Sequence, residues 1–169
     1  MIERYQKVRA LTEELCQTLA PEDTVVQTMP DVSPTKWHLA HVTWFFEKFV
    51  LEPHSAGYTR YNEQYHYLFN SYYHSAGDMH SRPHRGLLSR PTLGELFVYR
   101  THVDAAMREL LAGEDREDVL YNVELGLSHE QQHQELLLTD IKHVFSCNPM
   151  KPAVNADLPT PAVGDIPGY

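Results

Sequence analysis

The sequence predicts an all-α fold, a bundle of four helices with a long crossover between the second and the third. Apolar residues recur at three- and four-residue steps in four separate stretches, helix-start and helix-stop residues bound those stretches, and none alternates as a strand would. With 169 residues and 42% hydrophobic content, the chain is long enough for one domain with its own core.

The first helix is read from Tyr5, Val8, Leu11, Leu15 and Leu19, a pattern that Pro21 stops. The second is opened by Ser33 as N-cap and Pro34 at the first helical position. It runs to about Leu51 and carries Trp37, His41, Trp44 and Phe45. Thr92 and Glu95 form a capping box for the third, which passes through Leu96, Tyr99, Val103 and Leu110 to a stop at Gly113. The fourth starts near Asp115 and ends at about Cys147, before Pro149, with Leu125, His129, His133 and Leu136 as its inward candidates.

Between the second and third helices, the stretch from about Pro53 to Pro91 far exceeds the few residues that join antiparallel neighbours. It holds six of the ten tyrosines and five of the eleven histidines, and long ordered connections of that kind build sites. Past Met150 the composition turns to Pro, Ala, Gly and Asp. Residues 1–150 are therefore read as the bundle and 151–169 as a Pro-rich linker or tail.

A formal charge of −9 with no basic stripe argues against nucleic acid and anionic membranes as partners. No run approaches the roughly 18 apolar residues of a membrane span. The N-terminus, with Glu3, Arg4 and Lys7, lacks an apolar signal region. Cys16 and Cys147 stand alone, without redox or zinc spacing. The expectation is a soluble, cytoplasmic protein in a reducing compartment.

The chemistry concentrates on histidine. His129 and His133 are one helical turn apart, so their rings lie about 40° apart on one face and can reach one ion. His41 shares the Trp37/Phe45 face of the second helix, where an imidazole is costly unless it is hydrogen-bonded or bound to metal. A wetted polar pair and a satisfied core histidine are the alternatives when each is taken singly; three inward histidines together favour one divalent ion. The string His129-Glu130-Gln131-Gln132-His133 also fits the zinc-protease pattern with Glu130 as base. No metzincin continuation follows it, however, and no sheet precedes it to hold a peptide. Glu135 falls about 240° round the helix from His129 and is not placed to share its ion, whereas Glu130 is left a supporting role behind the ligands. Three neutral imidazoles leave positions open on a metal, which suits a catalytic site better than a closed structural one. Spacing does not name the metal. Imidazoles with a pKa of about 6.5 predict binding that weakens below about pH 6.

The segments Ser33-Pro34-Thr35-Lys36-Trp37-His38-Leu39-Ala40-His41, Trp44-Phe45-Phe46-Glu47 and His129-Glu130-Gln131-Gln132-His133-Gln134-Glu135-Leu136 resemble the ergothioneine-type sulfoxide synthases. The likeness takes in the crossover stretches Tyr61-Asn62-Glu63-Gln64-Tyr65 and Arg82 to Pro91, and is to the N-terminal DinB-like four-helix domain of those enzymes. It implies an Fe(II) centre held by His41, His129 and His133. That centre would use dioxygen to join the sulfur of cysteine or γ-glutamylcysteine to the imidazole of trimethylhistidine as a sulfoxide. It implies that Tyr72 and Tyr73 lie near the iron and help supply a proton, and that Arg82 and Arg85 hold the carboxylate of the thiol substrate. Without those roles the tyrosines would pack the crossover and the arginines would form surface salt bridges. Family members continue into a C-terminal domain resembling the formylglycine-generating enzymes, which supplies much of the trimethylhistidine pocket. This chain stops at Tyr169, so the resemblance implies a partner domain of that kind. The alternatives are a stand-alone DinB-like metal-dependent thiol S-transferase and a non-catalytic metal-binding domain.

Overall fold

The second helix, α2 (Thr35–Phe46), is buried at every position, its polar Lys36, His38, His41 and Thr43 included, so other elements must surround it. In the computed structural model, which describes residues 1–73, 75 and 77–158, three long elements enclose it. These are α1 (Ile2–Glu14), α5 (Leu93–Leu111) and α6 (Glu117–Cys147). Two shorter helices, α3 (Glu52–His54) and α4 (Glu63–Phe69), complete an all-helical architecture with no strand among the described residues. The predicted tail from residue 159 onward lies outside the described residues, as does His74. No helix among the described residues is long and apolar enough to cross a membrane.

The capping box forms as predicted, with Thr92 Oγ1 accepting from the Glu95 N–H and the Glu95 carboxylate accepting from the Thr92 N–H. Just past the end of α5, Gly113 takes a φ of +81°, which suits glycine and strains other residues. The Ser33 cap does not form. Pro34 occupies the N-cap of α2, and the Ser33 hydroxyl instead accepts from Arg85 while its N–H donates to Asp140. The far end of α2 passes through a π-helical turn, Glu47–Leu51, into α3, carrying the helical path beyond Leu51.

The crossover is ordered along the flank of α2. Trp37 Nε1 donates to the Leu68 carbonyl at 3.1 Å, and Lys36 Nζ donates to the carbonyls of Leu88 at 2.7 Å and Pro91 at 2.8 Å. Glu47 is fully buried and accepts from the hydroxyls of Tyr58 and Tyr99, tying the start of the crossover to α5.

Two apolar stripes differ from the sequence reading. Helix α1 ends at Glu14 with Leu11 exposed, and its buried face is Tyr5, Val8, Arg9 and Thr12. On α6 Leu125 and Leu136 are exposed, whereas Val123, Gly126, Leu127, Glu130, Gln134 and Leu137 point inward. The cause is a polar network at the centre of the bundle. Glu130, fully buried, accepts from Arg9 at 2.9 Å, Thr12 at 2.6 Å and Arg100 at 2.8 Å. Gln134 donates to the Val8 carbonyl and to Thr12 Oγ1. Burial alone would push the Glu130 carboxyl up, but Arg9 and Arg100 outweigh it and hold the group at about 2.

Replacing Glu130 with Gln should remove the one fully buried carboxylate that Arg9 and Arg100 share, leaving them only the more exposed Asp104 and Glu13, and cost about 3 kcal/mol in urea unfolding. Gly126→Ala offers a second test, because an added Cβ would sit 2.6 Å from the ring of the fully buried Phe46. The overpacking, about 1–3 kcal/mol, should match or exceed the gain in helix propensity of about 1 kcal/mol. A stabilised Gly126→Ala variant would contradict this packing.

Candidate metal centre

Packing α2 against α6 brings together the three histidines singled out from sequence. His41, His129 and His133 each offer a ring nitrogen within 4.8 Å of the others'. Their ring centroids form a nearly equilateral triangle with sides of 4.9, 4.6 and 4.6 Å. The fully buried His41 places Nδ1 2.6 Å from the Phe69 carbonyl of the crossover, so Nδ1 carries the proton and Nε2 is a lone pair. That Nε2 lies 3.1 Å from His129 Nε2. Two imidazole nitrogens bound at right angles to one ion, each at about 2.1 Å, would stand about 3 Å apart, so the spacing fits a shared metal. His129 Nδ1 is buried and makes no hydrogen bond. His133 Nδ1 lies 2.9 Å from His38 Nδ1, leaving its Nε2 on the side of the triangle.

Burial is the main force on the protonation of these rings. It lowers His129 to about 4 and, helped by His38 and His129, His133 to about 2; it also drives His41 well below the ordinary imidazole value. At neutral pH the triangle is therefore three neutral nitrogen donors, a set suited to a divalent transition metal. Glu130, the candidate base of the protease reading, is instead committed to Arg9 and Arg100 on the far side of α6.

Arg85 is buried rather than on the surface, and its guanidinium carbon sits 3.3 Å from the centre of the Trp37 ring. Trp37 in turn stacks on His41 at 4.6 Å. Arg85 donates to the hydroxyls of Ser33 and Ser71, its Nε makes no hydrogen bond, and no carboxylate pairs with it among the described residues. Burial, with Arg82 nearby, lowers its pKa to about 9. A buried guanidinium with only neutral partners among the described residues carries a charge that a nearby anion would offset. Arg82 stays half-buried at the rim and donates to the Asp31 carbonyl.

The two tyrosines part company. Tyr73 is half-buried with its ring 6.4 Å from both His41 and His129, and burial raises its hydroxyl pKa. Tyr72 is exposed on left-handed backbone with φ +60°, its N–H on the Met79 sulfur. Beside His129 opens a cleft of about 870 Å³ walled by Phe45, Phe49, Tyr73 and Leu125. His38 and Asp140 were not singled out from sequence. The signal was present, since His38 lies one turn before His41 on α2 and Asp140 two turns after His133 on α6.

Fold and site together define a class, an all-helical bundle with a three-histidine candidate metal centre between its second and last long helices. Residues 4–137 match the DinB superfamily, and the chain belongs to that metal-binding superfamily. The matched span includes all three histidines. No curated protein matches the chain in sequence.

His129→Ala and His133→Ala should each strongly weaken Co(II) binding, measured by the visible absorption of the bound ion. Unchanged affinity in both variants would remove the centre. The depressed pKa values also give a sign for acid stability without metal. The unfolded chain, with imidazoles at about 6.5, takes up protons before the folded one does. Stability is therefore full above about pH 6.5 and is lost as the pH falls toward the folded value of about 4 for His129. Unfolding free energies from urea titrations at several pH values should fall with a slope approaching about 1.4 kcal/mol per pH unit for each histidine, and less steeply in His129→Ala. The same shift moves proton competition for a bound metal from the expected pH 6 toward about pH 4.

Proposed function

We propose that this chain is the metal-binding bundle of a nonhaem iron, oxygen-dependent sulfoxide synthase. It would join the thiol of cysteine or γ-glutamylcysteine to trimethylhistidine, with Fe(II) held by His41, His129 and His133. The observation that carries this reading is the three-histidine triangle together with a buried arginine, linked to it through Trp37, that has no carboxylate partner among the described residues. The sequence likeness to the ergothioneine-type enzymes supplies the substrates.

Fe(II) when bound supplies redox exchange with dioxygen and open positions for substrate, chemistry that redox-inert zinc does not offer. Thiol, imidazole C–H and dioxygen together yield the sulfoxide and one water, so no further reductant is needed. The residues of this chain bind, orient and protonate. Arg85 presents its fork to the thiol substrate's carboxylate, and Trp37, Ser33 and Ser71 fix the plane of that fork before substrate arrives. Arg82 adds positive charge at the rim. Tyr73, whose ring stands 6.4 Å from those of His41 and His129, carries its hydroxyl proton at neutral pH and would pass it toward oxygen undergoing reduction. Phe45 and Phe49 give the cleft beside His129 dry walls. A formylglycine-enzyme-like partner domain would cover the open side and complete the trimethylhistidine pocket, and the assembly would work in the cytoplasm.

The test supplies Fe(II), dioxygen, trimethylhistidine and either thiol to the chain alone and to the chain mixed with such a domain. Iron uptake and a thiol-dependent spectral change are expected from the chain alone, with sulfoxide formed in quantity only when the partner is present. Arg85→Lys should raise the thiol concentration needed for the spectral change by about tenfold, roughly 1.4 kcal/mol, and leave iron bound. Zinc binding with thiol addition to an electrophile, in place of oxygen consumption, would replace this reading with the thiol S-transferase.

A further inference from the structure

His133 is the inner end of a side-chain series that begins near the surface. Asp140 Oδ2 accepts from the Ser33 N–H at 2.9 Å and also lies 2.9 Å from His38 Nε2. A carboxylate only accepts, so the proton between this oxygen and His38 belongs to Nε2. The other nitrogen of a neutral His38 ring is then a lone pair, and it faces His133 Nδ1 at 2.9 Å. Two ring nitrogens at that distance share one proton, which must sit on His133 Nδ1. His133 Nε2 is left bare, on the side of the triangle.

The other two histidines are arranged differently. His41 is oriented by a backbone carbonyl, which no substitution of a neighbouring side chain removes, and His129 Nδ1 has no partner. Among the described residues His133 alone of the three has its Nδ1 set by side chains outside the triangle, since His129 Nε2 meets only His41 Nε2, at 3.1 Å. We infer that Asp140 and His38, acting in series, are positioning residues that lock His133 as its Nδ1–H tautomer and so present the Nε2 lone pair to a divalent metal in the triangle. The inference rests on His133 being a metal ligand, and its effect is the ordering that an outer partner gives a ligating histidine.

Two measurements on the full chain test it: the long-range proton–nitrogen NMR spectrum of ¹⁵N-histidine-labelled protein without metal, and Co(II) titration followed by visible absorption. The variants are His38→Leu, which removes the acceptor, and His38→Asn, whose Oδ1 can replace Nδ1 as acceptor. Wild type should show His133 protonated at Nδ1. His38→Leu should populate the Nε2–H form and raise the Co(II) Kd about 10- to 100-fold. His38→Asn should keep the wild-type tautomer and most of the affinity, which general damage at this position would not allow. A wild-type His133 protonated at Nε2 overturns the inference, as does a folded His38→Leu protein with unchanged tautomer and Kd. If wild type takes up no Co(II), the metal centre fails, while the wild-type tautomer still decides the hydrogen-bonded series. That spectrum also decides it if His38→Leu does not fold.

Discussion

The arrangement of this bundle depends on one buried carboxylate. Glu130 receives Arg9 and Thr12 from α1 and Arg100 from α5, so a single residue of α6 fixes that helix against two others. Burying ions in this way adds little net stability, because desolvation offsets the Coulomb attraction. Its effect is orientational. With Glu130 turned toward α1 and α5, its neighbour His129, and His133 one turn later, are rotated toward α2 and the crossover. The same carboxylate is thereby withdrawn from the chemistry that its place in the His-Glu-x-x-His string suggests.

Around that fixed helix the remaining parts of the site come from one face of α2, where Trp37 and His41 stand one turn apart and stack. His41 meets α6 there, and Trp37 carries Arg85 of the crossover on its ring. The crossover pays for its length by contributing backbone as well as side chains, since the Phe69 carbonyl sets the His41 ring. Glu47, at the π-helical turn, draws Tyr58 and Tyr99 together and gives the connection a firm starting point.

The four long helices, the capping box and the grouping of the three histidines were legible because each leaves a local mark: a period, a residue pair, or a one-turn spacing; the short α3 and α4 inside the crossover were not read. The inward faces of α1 and α6 were read less well. A search for apolar residues at helical steps finds Leu11, Leu125 and Leu136, all exposed, and passes over Arg9, Thr12, Glu130 and Gln134. Those polar groups are buried because partners from other helices satisfy them, and such pairing is invisible until the chain is folded. The Ser33 cap was misread for the same reason, its hydroxyl being taken by an arginine about fifty residues away. The burial of Arg85 likewise depends on a tertiary stack.

On the proposed reading, the stack of Arg85 on Trp37 on His41 would also link two ligands thermodynamically. The arginine's positive charge disfavours further positive charge at His41 and His133. An anion seated on that guanidinium cancels the repulsion, and so makes the triangle a better host for a cation. Reciprocity then requires the bound cation to tighten the anion by the same factor. A carboxylate-bearing substrate and a divalent metal would therefore load cooperatively, each retaining the other, without either having to move a helix.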